Sequence, residues 1–475
     1  MKKTKIICTL GPSTDDDNVL RCMIKTGMDI ARLNFSHGVY EDHDKRINQI
    51  KRLRDELGVP IAVMLDTRGP EIRLKTFKGG SAKISAGQSF TLTTEEIEGD
   101  NTIASITYKD LVSVAKPGTS IMIDDGATEL RVENAKGSNI ACKVLNDAEL
   151  KDNKSINLPG IELPMPYISD KDMDDIRFGI SRDIDFIAAS FVRTANDVLD
   201  MRRFLLDNGG DQIKIISKIE NRQGVNNINE ILKETDGLMV ARGDMGVEIP
   251  FEELPGIQKT LIQKSYSSGR MVITATQMLE SMITHPRPTR AEITDIANAV
   301  YDGTSAVMLS GETAVGSFPA EAVAVMSRIV ISTESNVDYT KYFQIRRSNI
   351  EKSITNAISH ATCTSAHDLG AAAIITVTKS GNTARMISKF RPGTPIIGCT
   401  PDEKTLRQLN MSWGVTPVLI GDKTNTDDLF ADAVRSALNT GIVKEGDLVV
   451  LTAGVPVGMS GTTNILKVSI VGESL

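Results

Sequence analysis

The chain has 475 residues, about three times the roughly 150-residue prior for one domain, so two to four domains are expected. Hydrophobic residues at 40% and charged residues at 24% are ordinary for a globular protein and exclude a disordered or fibrous one. The net charge of −7 comes with no basic tail or Lys/Arg tract, and aromatics are only 4%, so no nucleic-acid partner is expected.

Five scattered cysteines (Cys8, Cys22, Cys142, Cys363 and Cys399) form no CxxC or zinc-type cluster, which disfavours a disulfide framework or structural zinc. The basic start is followed by an apolar run too short for a signal peptide, ending at Gly11-Pro12 and three aspartates. No stretch approaches eighteen uncharged apolar residues. The expectation is a cytoplasmic protein with no membrane partner.

Short β-branched runs alternating with amphipathic stretches predict parallel α/β structure. In chain order the expected strands are 5–9, 29–33, 61–65, 185–189, 213–219, 237–241, 271–275 and 305–309, with helices such as 42–57, 195–208, 228–235 and 290–301 between them. Eight such units are the count of a (β/α)8 TIM barrel. About 120 residues separate the third strand from the fourth, and 75–166 reads as short strands punctuated by Gly, Asn and Asp, an inserted all-β lid domain of barrel-like type. Pro159, Pro164 and Pro166 stiffen its exit. A further helix is expected over 318–335, then a charged stretch. A C-terminal α/β domain follows, with runs 372–377, 395–399, 418–420, 447–451 and 467–471 forming a mostly parallel, doubly wound sheet. The expected units are 1–73 with 167–344, 74–166, and 345–475.

Barrel chemistry sits at the C-terminal strand ends. There the sequence places Arg32, Asn34, Ser36 and His37 after the second strand and Asp66, Thr67, Arg68, Glu71 and Arg73 after the third. Lys218 and Glu220 close the fifth, Arg242-Gly243-Asp244 the sixth, Thr276-Gln277 the seventh and Ser310-Gly311-Glu312 the eighth. Plainer readings exist for each: a rim ion pair for Lys218 and Glu220, a snorkelling Arg32, a helix-cap turn at Asp66-Thr67. Their convergence on one rim favours a shared purpose, because charges are costly there without one. Glu220 and Asp244 suit one Mg²⁺ or Mn²⁺, while Arg32, Arg73 and Lys218 suit a phosphoryl group in transit. Free amides at the start of a short helix at Gly243-Asp244 suit a carboxylate. Together they suggest phosphoryl transfer involving a small carboxylate. The chain contains neither a P-loop nor a GxGxxG after a strand.

The segments CTLGPS (8–13), ARLNFSHG (31–38), LDTRGPEIR (65–73), ISKIEN (216–221), MVARGDMGVEIP (239–250), ITATQMLESM (273–282), RPTRAE (287–292) and MLSGETA (308–314) lie in order along the expected barrel. They resemble the pyruvate kinase family, in its bacterial type without an extra C-terminal domain, and the resemblance spans essentially the whole chain. It implies transfer of the phosphoryl group of phosphoenolpyruvate to ADP, giving pyruvate and ATP, the final step of glycolysis. By motif it makes Glu220 and Asp244 the Mg²⁺ or Mn²⁺ ligands and Asn34, Ser36, Asp66 and Thr67 the K⁺ site, with Glu71 marking a potassium-dependent member. Lys218, Arg73 and Arg32 serve the phosphoryl group; Arg32, Lys218, Gly243, Asp244 and Thr276 bind phosphoenolpyruvate. Thr276, with Ser310, stands near the enolate to be protonated. Pro12, Asn34, His37, Arg73 and Lys171 contact nucleotide.

The resemblance also implies a phosphorylated allosteric effector in the C-terminal domain, held by Thr378, Lys379, Ser380, Asn382 and Thr383 with Ser460, Gly461 and Thr462, and a homotetramer. Leu429 stands where animal members place an arginine for a second phosphate, so a sugar monophosphate or AMP is as good a candidate as a bisphosphate. Arg68 replaces the usual lysine of LDT-x-GPEIR and keeps its charge. Two alternatives stay open: a metal-dependent lyase or aldolase handling pyruvate enolate, and an inactive sugar-phosphate sensor.

Overall fold

The computed structural model describes residues 2–346, 352–456 and 463–473. Eight parallel strands close into a barrel: Lys5–Thr9, Ile30–Asn34, Ala62–Asp66, Phe186–Ala189, Lys214–Ile219, Gly237–Ala241, Met271–Ala275 and Ala306–Leu309, with the first paired to both the second and the eighth. Their side chains alternate between two apolar layers. Ile7, Ile30, Met64, Phe186, Ile216, Met239, Ile273 and Met308 fill the interior. Ile6, Ala31, Val63, Ile187, Ile215, Leu238, Val272 and Val307 face the surrounding helices.

Between the third and fourth barrel strands the chain builds a seven-stranded sheet and a two-stranded ribbon around a separate core that includes Phe90, Leu92, Leu130 and Ile140. Ile72–Arg73 already belongs to this sheet, pairing antiparallel with Ser155–Asn157, so the way in and the way out lie side by side. Arg193 fastens the exit, donating from its guanidinium to the carbonyls of Leu163 (2.9 Å) and Met165 (3.1 Å).

The C-terminal unit is a five-stranded sheet in the order Val415–Leu419, Ile396–Thr400, Ala373–Val377, Leu448–Ala453, Ile465–Ile470. All pairs are parallel except the last. Apolar clusters lie on both faces, as a doubly wound sheet requires. The expected strand at 418–420 starts earlier, at Val415, because Pro417 is tolerated on an edge strand where its missing N–H faces no partner. A helix, Tyr339–Arg346, occupies the start of the charged stretch.

This unit closes the N-terminal end of the barrel. Met411 joins the barrel's interior core. Arg407 donates to the buried Asp185 (2.7 Å) and to Asp183 (2.8 Å), and Asn410 donates to the carbonyl of Asp29 (2.9 Å). Asp29 and Asp185 immediately precede the second and fourth barrel strands, so the C-terminal unit grips the end opposite the charged rim.

Candidate active site

At the C-terminal rim, a cavity of about 480 Å³ separates the barrel from the inserted unit. From the barrel it is lined by Arg32, Asn34, Ser36, His37, Lys218, Glu220 and Asp244, from the junction by Arg73, and from the insert by Asp124, Asp125, Lys154 and Ser155.

Asp66, at the end of the third strand and 1% exposed, organises the floor. It accepts from Arg32 Nε (2.7 Å) and Lys218 Nζ (3.0 Å), cations that reach it from the second and fifth strands. Lys218 Nζ also donates to Ser190 Oγ (2.6 Å), which in turn donates to the carbonyl of Thr67 (2.6 Å). Arg32 makes its second contact to Thr9 Oγ1 (2.8 Å). Burial alone would raise the Asp66 carboxyl, yet Arg32 and Lys218 hold it below its ordinary value. Burial alone would lower the Lys218 ammonium, but Asp66, Glu220 and Asp244 outweigh it and raise it. Lys218 is therefore a fixed positive charge.

Glu220 is 0% exposed. Its Oε2 accepts the Phe191 N–H at 2.5 Å, aimed by a left-handed backbone (φ 53°) at Phe191. Its Oε1 lies 3.0 Å from Lys218 Nζ but makes no hydrogen bond. Burial pushes the carboxyl up to about 8, with Lys218 opposing and Asp244 adding to the rise. A buried carboxylate oxygen without a hydrogen bond, beside a second half-buried carboxylate, fits a hard divalent cation. Among the described residues no third His, Cys, Asp or Glu joins the pair.

Asp244 lies in a seven-residue helix, Arg242–Glu248, that starts directly at the end of the sixth strand. The Gly243 N–H donates to Thr276 Oγ1 (2.9 Å), and that hydroxyl donates to the Ala275 carbonyl (2.6 Å). The Gly243 amide is thus already engaged in this structure. Thr276 and Gln277 both have positive φ (70° and 54°), a strained turn that Arg242 supports by donating to the carbonyls of Ala275 (3.2 Å) and Thr276 (2.5 Å). Asp295 holds Arg242 through both carboxylate oxygens (2.8 and 2.7 Å).

The remaining predicted residues fall around this centre. Asn34 stands beside Asp66 in strand register and accepts the Ser36 N–H (3.1 Å). Thr67 Oγ1 accepts the Ser190 N–H (3.1 Å). Glu71 is paired with Arg73 (2.6 Å) and Arg68 (3.4 Å). Ser310 donates its N–H to Glu312 (2.7 Å), Pro12 opens a 3-10 turn, and Lys171 pairs with Asp175 while donating to Tyr40 Oη (3.2 Å); none of the three lines the cavity. In the C-terminal unit, the Lys379 and Ser380 carbonyls accept from Thr405 Oγ1 (3.0 Å) and Arg385 (3.1 Å). Thr378 is buried after its strand, and Asn382 opens the helix Asn382–Lys389. Thr383 Oγ1 and Thr463 Oγ1 are 3.0 Å apart. Ser460, Gly461 and Thr462 lie outside the described residues.

Ser190, Phe191, Asp124, Asp125 and Lys154 were not singled out in the sequence. Ser190-Phe191 closes the fourth strand, and the strand-end rule applied there finds them; their lack of charge hides them.

Fold and rim define a TIM-barrel enzyme whose site, under an inserted unit, combines fixed cations with a carboxylate pair. Profiles of the pyruvate kinase barrel domain and the pyruvate kinase alpha/beta domain match residues 1–323 and 356–469. A pyruvate kinase of Clostridium acetobutylicum is 49% identical over 472 residues, covering 99% of this chain and 100% of that one. One of Staphylococcus haemolyticus is 49% identical, covering 100% of this chain and 81% of its own length. The crystal structure of a pyruvate kinase from Cryptosporidium parvum superposes with a TM-score of 0.93 at 41% identity, covering 99% of this chain and 96% of that one. The chain belongs to the pyruvate kinase family and is a phosphotransferase. Membership implies phosphoenolpyruvate and ADP as substrates and, in general, metal dependence. No helix among the described residues is long and apolar enough to cross a membrane.

Proposed function

We propose that the rim cavity transfers the phosphoryl group of phosphoenolpyruvate to ADP, with Lys218, Arg73 and Arg32 as its cationic clamp and Glu220 and Asp244 as ligands of Mg²⁺ or Mn²⁺. The observation that carries this reading is the Arg32–Asp66–Lys218–Glu220 chain of contacts, which presents two permanent cations and a carboxylate oxygen without a hydrogen bond to one cavity. The phosphorus–oxygen bond to the enol oxygen breaks as a terminal oxygen of ADP bonds to phosphorus. Lys218 and the arginines offset the charge spread over the phosphoryl oxygens. A divalent ion held by Glu220 and Asp244 would add to this neutralisation of negative charge. The enolate left behind takes a proton at its methylene carbon on the side of Thr276, with Ser310 behind it. The inserted unit excludes water, a competing acceptor.

The same reading gives K⁺ a place beside Asn34, Ser36, Asp66 and Thr67, supported by the Asn34–Asp66 strand register, with Glu71 behind them. It assigns nucleotide to Pro12, Asn34, His37, Arg73 and Lys171. The carboxylate of phosphoenolpyruvate goes to Gly243, Asp244 and Thr276, the Gly243 N–H exchanging Thr276 for substrate. A phosphorylated effector goes to the loops containing Thr378–Thr383 and Ser460–Thr462, supported by the Thr383–Thr463 contact. The partition 1–73 with 167–344, 74–166, and 345–475 is supported by separate apolar clusters in the barrel, the insert and the C-terminal unit, with Ile72 already packed in the insert's core. A homotetramer acting in cytoplasmic glycolysis completes the proposal; the free state of all five cysteines suits a reducing compartment.

The test is pyruvate formation from phosphoenolpyruvate and ADP with Mg²⁺, in K⁺ and in a large inert cation, with and without sugar monophosphate or AMP. Activity that collapses without K⁺ supports the assignment. No pyruvate from folded protein overturns the proposed reaction.

A further inference from the structure

The helix Tyr40–Leu57 follows the second barrel strand, and its first turn carries a histidine that nothing above uses. His43 is 4% exposed, and its ring stacks on Phe35 with centroids 4.0 Å apart and planes 11° from parallel. Its Nε2 lies 3.0 Å from the His37 carbonyl oxygen. A carbonyl only accepts, so Nε2 carries the proton and donates it. Burial lowers the imidazole below its ordinary value, against the pull of that carbonyl, so the ring is neutral at pH 7. Its Nδ1 is then an acceptor, buried and without a hydrogen-bond partner.

A buried acceptor without a partner is costly, and leucine or phenylalanine would fill the same place without one. What histidine adds over them is the N–H donated to His37. That carbonyl belongs to the loop that carries Asn34, Ser36 and His37 to the rim cavity. The loop is pinned at its start, where the Phe35 N–H donates to the Asp66 carbonyl (3.0 Å). Within it, the His37 N–H reaches the Asn34 carbonyl (3.3 Å) and the Ser36 N–H reaches Asn34 Oδ1 (3.1 Å), bonds that tie the loop to itself. At its far end Gly38 is left-handed (φ 80°), and a Cβ there would stand 3.4 Å from His43 Nε2. The chain passes close over the imidazole, and the His43 N–H fastens the end of the loop to the helix.

We propose that His43 is a positioning residue for the phosphoryl transfer: its bond to the His37 carbonyl sets how the turn Asn34–His37 meets ADP and K⁺. The inference rests on the assignment of nucleotide and K⁺ to that turn under the proposed function. His43 itself touches neither and acts through the backbone of His37.

Amide hydrogen exchange of the whole chain reads the positioning directly. His43→Phe keeps an aromatic ring against Phe35 but has no donor, so the amides of residues 35–38 should exchange about fivefold faster than in the parent. In pyruvate assays the same variant should raise the KM for ADP and the K⁺ concentration for half-activation about fivefold, with kcat and the KM for phosphoenolpyruvate within about twofold. His43→Gln restores an N–H at similar reach and should return both readouts toward the parent. His43→Leu replaces the phenylalanine variant if that one does not fold. Parental exchange in the variants without a donor overturns the proposal, as does a glutamine variant that behaves like the phenylalanine one. Faster exchange with both constants unchanged also overturns it, and His37→Ala then locates the fault. A raised KM for ADP in His37→Ala leaves the nucleotide assignment standing, whereas an unchanged one refutes that assignment as well.

Discussion

Replacing Lys218 by methionine separates the charge of that side chain from its bulk. In the structure Lys218 Nζ lies 3.0 Å from Asp66, 3.0 Å from Glu220 and 2.6 Å from Ser190 Oγ. Removing one member of a buried ion pair ordinarily costs about 3–5 kcal/mol. Here the loss should be smaller, about 2 kcal/mol, because Asp66 keeps Arg32 and Glu220 can take up a proton. The fold should survive. Catalysis has no such substitute: a unit charge about 4 Å from charge developing on the phosphoryl group, at an effective dielectric of about 20, contributes about 4 kcal/mol. That corresponds to roughly a thousandfold in kcat. Pyruvate production with saturating phosphoenolpyruvate, ADP and Mg²⁺ measures the loss, and urea unfolding of the same preparation measures stability. A kcat within tenfold of the parent would refute the role given to Lys218. A protein that no longer folds would refute the compensation argued for Asp66 and Glu220.

Glu220→Gln keeps the shape of the site and its Phe191 contact but removes the charge proposed to bind the divalent ion, so the Mg²⁺ concentration for half-activation should rise at least about tenfold with the melting temperature nearly unchanged. Arg407→Met strands Asp185, 0% exposed at the foot of the barrel, and should cost about 3 kcal/mol in urea unfolding; adding Asp185→Asn should recover much of it, and simple additivity would contradict the pairing. Gly11→Ala would set a Cβ 2.4 Å from the Ala314 carbonyl oxygen, so a backbone shift costing about 1–3 kcal/mol should appear as a lower urea midpoint. Burial depresses the Lys3 ammonium to about 8 from 10.5, against the pull of Glu334. Between those values the unfolded chain holds a proton the folded one has released, so stability contributed by Lys3 rises with pH across that window. The unfolding free energy of the parent relative to Lys3→Met, from urea titrations, should climb between pH 8 and 10.5 by up to about 3 kcal/mol, and a flat difference would count against it.

The barrel was legible because each strand is a short apolar run closed by polar residues, and three of the eight have the predicted bounds, at Lys5–Thr9, Gly237–Ala241 and Met271–Ala275. Where bounds slipped by a residue, as at Ile30 and Phe186, the residue just before the strand is an aspartate serving the C-terminal unit: the Asp29 carbonyl receives Asn410 and the Asp185 carboxylate receives Arg407. Such a pairing between segments hundreds of positions apart leaves no periodic trace. The same holds for Met411, an ordinary apolar residue in the sequence that enters the interior of the barrel. At the rim, charged residues announced themselves, whereas Ser190 and the Phe191 amide did not, since their contribution is a hydroxyl and a backbone N–H aimed by local conformation.

The two ends of the barrel solve opposite electrostatic problems with similar residues. At the foot, Asp185 meets Arg407 and also accepts the Val63 N–H (2.8 Å), so charge is matched to charge and the contact serves adhesion. At the rim, Asp66 meets two cations from different strands, and only part of their positive charge is spent on it. Lys218 then faces Glu220, whose Oε1 is within ion-pair distance yet lacks a hydrogen bond. Those incompletely matched groups are what a substrate bearing several negative oxygens and a divalent ion would complete. A rim built only for stability would have closed these contacts as the foot does, and that difference supports the proposal that places the chemistry at the rim.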